Sequence, residues 1–150
     1  MPESAVRAVD VYPYREQSVN PEFLLLRRAP DTRYAGQWRM VGGKIEEGEA
    51  AWKTGLREVE EETGQRPAQF WSLPSVNAFY EWRADRVTLA PAFGAALTED
   101  PSLDDEHDAF AWRPAPEAAR YLDWPEQKRL LRLADRLLRD GIPPSLVVDP

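Results

Sequence analysis

The chain has 150 residues, with 19 Lys and Arg against 26 Asp and Glu for a formal net charge of −7; this suits one compact domain with a real core. An acidic balance disfavours a general DNA- or bulk-RNA-binding protein, whose affinity needs a basic surface; small phosphorylated ligands stay open, because a divalent cation can bridge acids to a phosphate. With no Cys, disulfides, thiolate nucleophiles and Cys-ligated metals are excluded, and with a single His any Ser–His machinery would rest on His107 alone.

Met1-Pro2-Glu3-Ser4 lacks the basic start and apolar stretch of a signal peptide. No apolar run approaches the roughly 20 residues of a membrane helix, so a cytoplasmic, non-membrane protein is expected. Ala5 to Tyr12 alternates as a strand, and turn residues at Ser18-Val19-Asn20-Pro21 precede a more buried strand from Glu22 to Arg28. A polar loop, Pro30 to Gln37, leads to Trp38-Arg39-Met40-Val41 and the pair Gly42-Gly43. From Glu49 to Thr63 the residues Trp52, Leu56, Val59 and Thr63 recur at helical spacing, and Gly64 stands where a C-terminal cap belongs. Gln69 to Trp82 and Val87 to Leu97 read as strands joined by Arg83-Ala84-Asp85-Arg86. An acidic loop, Glu99 to Asp105, precedes a short alternating run from His107 to Trp112. Pro114 and Pro116 open a short helix through Tyr121. Asp123 and Pro125 start a last helix whose Leu130, Leu131, Ala134, Leu137 and Leu138 form one apolar stripe ending at Gly141. That stripe is expected to pack within the chain, for a monomer or homodimer, and residues 141–150 to form a loose tail. The order of elements predicts a single domain over 1–150 of the α/β (α+β) class, a mixed sheet with helices on both faces.

The informative stretch is Gly43 to Gln65. Glu58, Glu61 and Glu62 stand at i, i+3 and i+4, so their carboxylates project within reach of one another. The expected arrangement has the apolar stripe docked on the sheet and the three acids on the roughly opposite side. Like charges at this spacing destabilise a helix by a few tenths of a kcal/mol per pair. Their place near the negative end of the helix dipole adds to that. A divalent cation would offset both, and carboxylate oxygens are the hard ligands that Mg²⁺ prefers. The alternative is an ordinary solvated charge face.

The full spacing decides between them. Gly43, five residues, Glu49, seven residues, Arg57-Glu58-Val59, one residue, Glu61-Glu62, one residue and Gly64 resembles the Nudix box. The match departs at its last position, where Gln65 replaces an aliphatic, and just before it, where Val41 stands in place of a common Pro. The resemblance implies an α/β/α sandwich with a mixed central sheet and a loop–helix–loop catalytic motif that binds Mg²⁺ or Mn²⁺. By position, Glu58, Glu61 and Glu62 would be metal ligands, the Gly43 carbonyl would join them, Arg57 would orient a carboxylate, and Glu49 would support. Glu106-His107-Asp108-Ala109-Phe110-Ala111-Trp112 is similar to a Glu-His-x4-Trp segment of several Nudix subfamilies, including dihydroneopterin triphosphate pyrophosphatases and asymmetric dinucleoside tetraphosphatases. There the Glu supplies a further metal ligand or the general base, so Glu106 takes that role here, with Asp104 and Asp105 as substitutes. His107 is read as a structural hydrogen-bonding residue and Trp112 as a core anchor.

The implied reaction is hydrolysis of a nucleoside diphosphate linked to another moiety, with metal-activated water attacking phosphorus. Glu58, Glu61, Glu106 and Arg57 are the expected catalytic residues, Glu58 or Glu106 serving as base. Arg27, Arg28, Arg39 and Lys44 flank the proposed site as phosphate contacts. Tyr34, Trp38, Phe79, Tyr80 and Trp82 offer stacking surfaces for a purine or pterin ring, Tyr80 being the one carried forward. A catalytically silent module binding nucleotides or a protein partner is the rival reading.

Overall fold

A computed structural model describes residues 1–16 and 20–150. The strands are β1 (Glu3–Ala5), β2 (Ala8–Glu16), β3 (Pro21–Arg28), β4 (Trp38–Arg39), β5 (Val41–Lys44), β6 (Gln69–Glu81), β7 (Arg86–Ala96) and β8 (His107–Pro114). The helices are α1 (Ala51–Thr63), α2 (Ala115–Tyr121) and α3 (Pro125–Asp140), followed by a 3-10 turn at Pro144–Leu146. The turn expected at Ser18 to Pro21 falls partly outside the described residues, and Pro21 already opens β3.

All eight strands join one mixed sheet. The single strand expected from Ala5 to Tyr12 is divided: β1 and β2 are successive pieces, both parallel to β7. On its other edge β2 pairs with β3 only through Tyr14–Glu16, and with β5 through Ala8–Val11. β3 thus diverges from β2, and the segment 38–44 fills the fork, β4 against β3 and β5 against β2. β8 lies antiparallel to β3, and β6 antiparallel to β7.

Strand alternation sends side chains into two cores. Val9, Val11, Leu24 and Leu26 pack with Val59 of α1, while Tyr12, Tyr14, Phe23 and Leu25 pack with α2 and α3. Burial on both faces is why Phe23-Leu24-Leu25-Leu26 is an unbroken apolar run. Helix α1 comes close to the sheet at Gly55, where a Cβ would stand 2.7 Å from the Phe70 ring. The leucine stripe of α3 packs on its own sheet: Leu130, Leu131 and Ala134 are buried, with Leu137 and Leu138 partly so. The tail expected to be loose is pinned: Val147 bridges Trp71, and the Val148 N–H donates to the Phe70 carbonyl at 2.8 Å. Among the described residues, no helix is long and apolar enough to cross a membrane.

The α2–α3 core is organised around Trp71, which is fully buried and donates its indole N–H to the Tyr14 hydroxyl at 3.1 Å. Gly94 leaves the room for that indole, since a Cβ there would collide with it. Gly94→Ala is therefore expected to destabilise the fold by about 1–3 kcal/mol, the range for overpacking. Urea denaturation measures it; an unchanged midpoint would mean that the indole has space to shift.

Candidate active site

The site is built where segment 38–44 fills the fork. Gly43 lets an α1 side chain reach the strand backbone, and Gly42 lets β5 lie close against β2. A Cβ on Gly43 would collide with the Glu58 carboxylate, and one on Gly42 would lie 2.8 Å from the Val9 carbonyl oxygen. The Gly42 N–H donates to Glu62 Oε2 at 3.3 Å.

The loop from Ile45 to Ala50 turns through Gly48, at a φ of +76°, and leads into α1 without a side-chain cap at Ala50. Glu49 ties this loop to the helix. Its carboxylate accepts from Arg57 Nε and a terminal Arg57 nitrogen, each at 2.9 Å, and from the Thr54 hydroxyl at 2.6 Å. The Arg57 guanidinium holds the Glu49 carboxyl down to about 2, with Thr54 assisting. Arg57 also donates to Glu58 Oε1 at 2.9 Å, to Glu61 Oε1 at 3.4 Å and to the Lys44 carbonyl at 3.1 Å. Its own pKa rises further, first through Glu49.

The three helix acids do not share one solvated face, a correction to the arrangement expected from spacing. Side-chain exposure is 55% for Glu61 but 13% for Glu58 and 6% for Glu62. Glu62 is three residues from the buried Val59, about 60° round the helix, and so turns toward the sheet. Thr54 and Gly55 are buried where the expected stripe has Trp52 and Leu56, which are only half-buried. Burial, reinforced by the neighbouring Glu58 charge, pushes Glu62 up to about 9. Burial, then the Glu61 charge, also raises Glu58.

The donor chemistry fits a hard divalent cation: carboxylate oxygens only, crowded, and short of compensating positive charge. Among the described residues, no three His, Asp or Glu side chains converge tightly enough to chelate one ion as they stand. Glu58 and Glu61 are drawn to Arg57, and Glu106 donates nothing to the cluster because its carboxylate accepts from Arg28 at 3.1 Å. His107 reaches the cluster in its place: Nε2 is 3.5 Å from Glu62 Oε1, and Nδ1 is 2.7 Å from Asp104 Oδ1.

The structure thus brings Gly43, Arg57, Glu58, Glu61 and Glu62 together and leaves Glu106 on the adjoining loop. The predicted phosphate contacts are dispersed. Arg27 is paired with Asp108 at 2.8 Å, Arg39 lies 4.3 Å above the Tyr34 ring, and Lys44 is exposed. The Tyr80 hydroxyl donates to Asp85 at 2.7 Å at the end of the β6–β7 hairpin. Trp112 is buried and donates its indole N–H to Asp100 at 2.9 Å. Sequence reasoning missed Thr54 and, on the other face of the sheet, Asp10, whose carboxylate accepts from Asn77 Nδ2 at 2.9 Å. Burial raises the Asp10 pKa. A lone acid sharing its strand face with Tyr12 and Tyr14 was the available signal.

Two surface hollows lie elsewhere. One of about 390 Å³ sits between α2 and α3 beside Arg120, Lys128 and Arg132; another of about 730 Å³ lies beside Arg15, Gln69 and Thr98. The acidic site is distinguished by its charge rather than by its concavity.

A mixed sheet with α1 on one face and α2 and α3 on the other, and an acid-rich helix seated on a Gly-Gly strand, define an α/β/α sandwich with an acidic site. The NUDIX domain model matches residues 4–134, and the chain belongs to the Nudix hydrolase family. Over 121 residues it is 32% identical to the octanoyltransferase of Myxococcus xanthus, a match covering 78% of this chain and 33% of that protein. The chain spans about a third of that relative's length. It is 27% identical over 121 residues to the asymmetrical bis(5'-nucleosyl)-tetraphosphatase of Rattus norvegicus, covering 78% of this chain and 80% of that one. The crystal structure of a NUDIX hydrolase from Listeria monocytogenes superposes with a TM-score of 0.74 at 25% identity, over 89% of this chain and 94% of that one.

Glu62 and Glu49 act on stability at opposite ends of the pH scale. Glu62, raised to about 9, keeps a proton in the folded state that the unfolded chain releases near 4.3, so metal-free stability falls as pH rises between those values. Glu49, lowered to about 2, stabilises the fold above about 4.3 and loses that contribution as pH falls toward 2. Thermal unfolding in chelator is expected to show Glu62→Gln flattening the alkaline limb and Glu49→Gln the acid limb. A Glu62→Gln profile parallel to wild type from pH 6 to 9 would mean that Glu62 is already ionised at neutrality.

Proposed function

We propose that the chain is a Mg²⁺-dependent pyrophosphohydrolase that cleaves a phosphoanhydride in a nucleoside diphosphate linked to another moiety. The observation that carries this reading is the pair of desolvated carboxyls, Glu58 and Glu62, pressed onto Gly42-Gly43 with one guanidinium shared among Glu49, Glu58 and Glu61. Glu58, Glu61 and Glu62 would hold the cation, joined by the Gly43 carbonyl and Glu106. When bound, Mg²⁺ or Mn²⁺ neutralises phosphate charge and acidifies a water. Arg57 keeps Glu58 and Glu61 on the fork side of the helix. Glu58, which is desolvated, or Glu106, if Arg28 released it, would accept the proton of the attacking water. Arg39 and Lys44, unpaired with any acid among the described residues, are placed in sequence to contact the outer phosphates.

The substrate reading is a nucleoside triphosphate or dinucleoside polyphosphate, with a planar ring bound on the sheet face opposite α1. On that face Asp10 and Asn77 form a buried polar pair, Gln127 is buried nearby, and Phe79 and Trp124 lie 6.1 Å apart with both rings partly exposed. A buried carboxyl and amide suit the edge of a heteroaromatic ring, and the aromatic pair suits its face. The rat tetraphosphatase match supports this class of substrate.

Release of phosphate or nucleotide product from a panel of nucleoside triphosphates and dinucleoside polyphosphates, with and without Mg²⁺, tests the reading. Turnover should require the cation and fall by at least about 10²-fold in Glu61→Gln and Glu62→Gln, in line with loss of a group that stabilises transition-state charge. Asn77→Ala should raise KM with little change in kcat, the signature of lost uniform binding. Nucleotide binding without turnover across the panel would instead indicate a silent module.

A further inference from the structure

The helix acids are held by two separate devices. Glu58 and Glu61 depend on Arg57, a residue of their own helix. Among the described residues Glu62 touches no Lys or Arg; beside the neighbouring Glu58 carboxyl, its contacts come from two strands. One oxygen accepts from the Gly42 N–H of β5 at 3.3 Å, and the other lies 3.5 Å from His107 Nε2 at the start of β8. The His107 side chain is only 2% exposed, and its other ring nitrogen is fixed by Asp104 Oδ1 at 2.7 Å. The same Asp104 oxygen accepts from the Glu106 N–H at 3.2 Å, and the Glu106 carbonyl accepts from the Ala29 N–H at 2.8 Å, so the loop is anchored to the end of β3.

Resting on the metal-site reading above, we infer that His107 is a positioning residue: oriented by Asp104, it holds the Glu62 carboxylate against Gly42 in the pose from which Glu62 binds the divalent cation. A Glu side chain has three rotatable bonds, and without a partner at its second oxygen other rotamers are open to Glu62. Partners that orient ligating groups typically change metal affinity by 10–100-fold when removed. His107 therefore acts on the cation through Glu62, and it also couples the loop that carries Glu106 to the helix.

Asn and Gln separate the two ring nitrogens. His107→Asn puts an amide near the Nδ1 position, toward Asp104; His107→Gln puts one near Nε2, toward Glu62. Mn²⁺ titration followed by electron paramagnetic resonance reads affinity without turnover, with circular dichroism melts as the folding check. His107→Asn is expected to weaken Mn²⁺ binding by about 10–100-fold, His107→Gln to restore it to within a few-fold of wild type at a similar melting temperature, and Asp104→Ala to weaken it as well. In activity assays the His107→Asn defect should shrink at saturating Mn²⁺. Equal affinities for the Asn and Gln variants, whether both intact or both lost, would overturn the inference. If neither variant folds, Asp104→Ala decides: wild-type affinity there overturns it. Absence of Mn²⁺ binding by the wild-type protein would instead remove the metal-site reading on which it rests.

Discussion

The crowding of carboxyl groups between α1 and the Gly42-Gly43 strand governs the site. One guanidinium, that of Arg57, serves Glu46, Glu49, Glu58 and Glu61, while Glu62 is buried with no Lys or Arg partner among the described residues. Removing charge from water without a matching partner costs several kcal/mol, so such a group keeps a proton or recruits a cation. The upward displacement of Glu58 and Glu62 and the downward displacement of Glu49 follow from this division. Pairs of titratable groups driven apart by their surroundings mark functional sites more often than chance allows.

The fold makes the crowding possible. Because β3 leaves β2 after a short pairing, the segment 38–44 can fill the fork and offer its two glycines to the helix. Gly55 brings α1 down onto Phe70, Phe93 and Val11, carrying Glu62 below the solvent boundary. Glu49 and Thr54 then lock the preceding loop to the first turns of the helix. The approaches at Gly43 and Gly55 are close because a side chain is missing there.

Spacing made the acidic cluster legible, since i, i+3 and i+4 positions on a helix must be neighbours whatever the tertiary fold. The Glu49–Arg57 pair was not legible in the same way, because Glu49 lies in the loop before α1 and eight residues from Arg57. Burial was harder to read: the inward turn of Glu62 depends on how deeply Gly55 lets the helix settle, which is a property of the opposing Phe70 and Phe93 rings. The Asp10–Asn77 pair joins residues 67 apart in sequence through β2, β7 and β6, and no local pattern encodes it. Glu106 was legible as a residue near the site but not in its pairing with Arg28, because that contact depends on a register shift between Arg27 and Arg28 in the β3–β8 ladder. The C-terminal tail read as loose from its prolines, yet Val147 and Val148 find backbone partners on β6.

A chain of net charge −7 repels a polyphosphate at long range. Attraction must then arise at close quarters, and the cations near the fork are mostly engaged: Arg27 by Asp108, Arg28 by Glu106, Arg57 by four acids. In the proposed reaction the same acids that repel the phosphate chain would draw divalent ions, and those ions would reverse the local sign. In the proposed reaction, substrate affinity and turnover therefore share one origin, the excess carboxylates of α1. Replacing Glu62 by glutamine should weaken both together, whereas changes at Asp10 and Asn77 should act on ring binding, because among the described residues neither side chain hydrogen-bonds to an acid of α1.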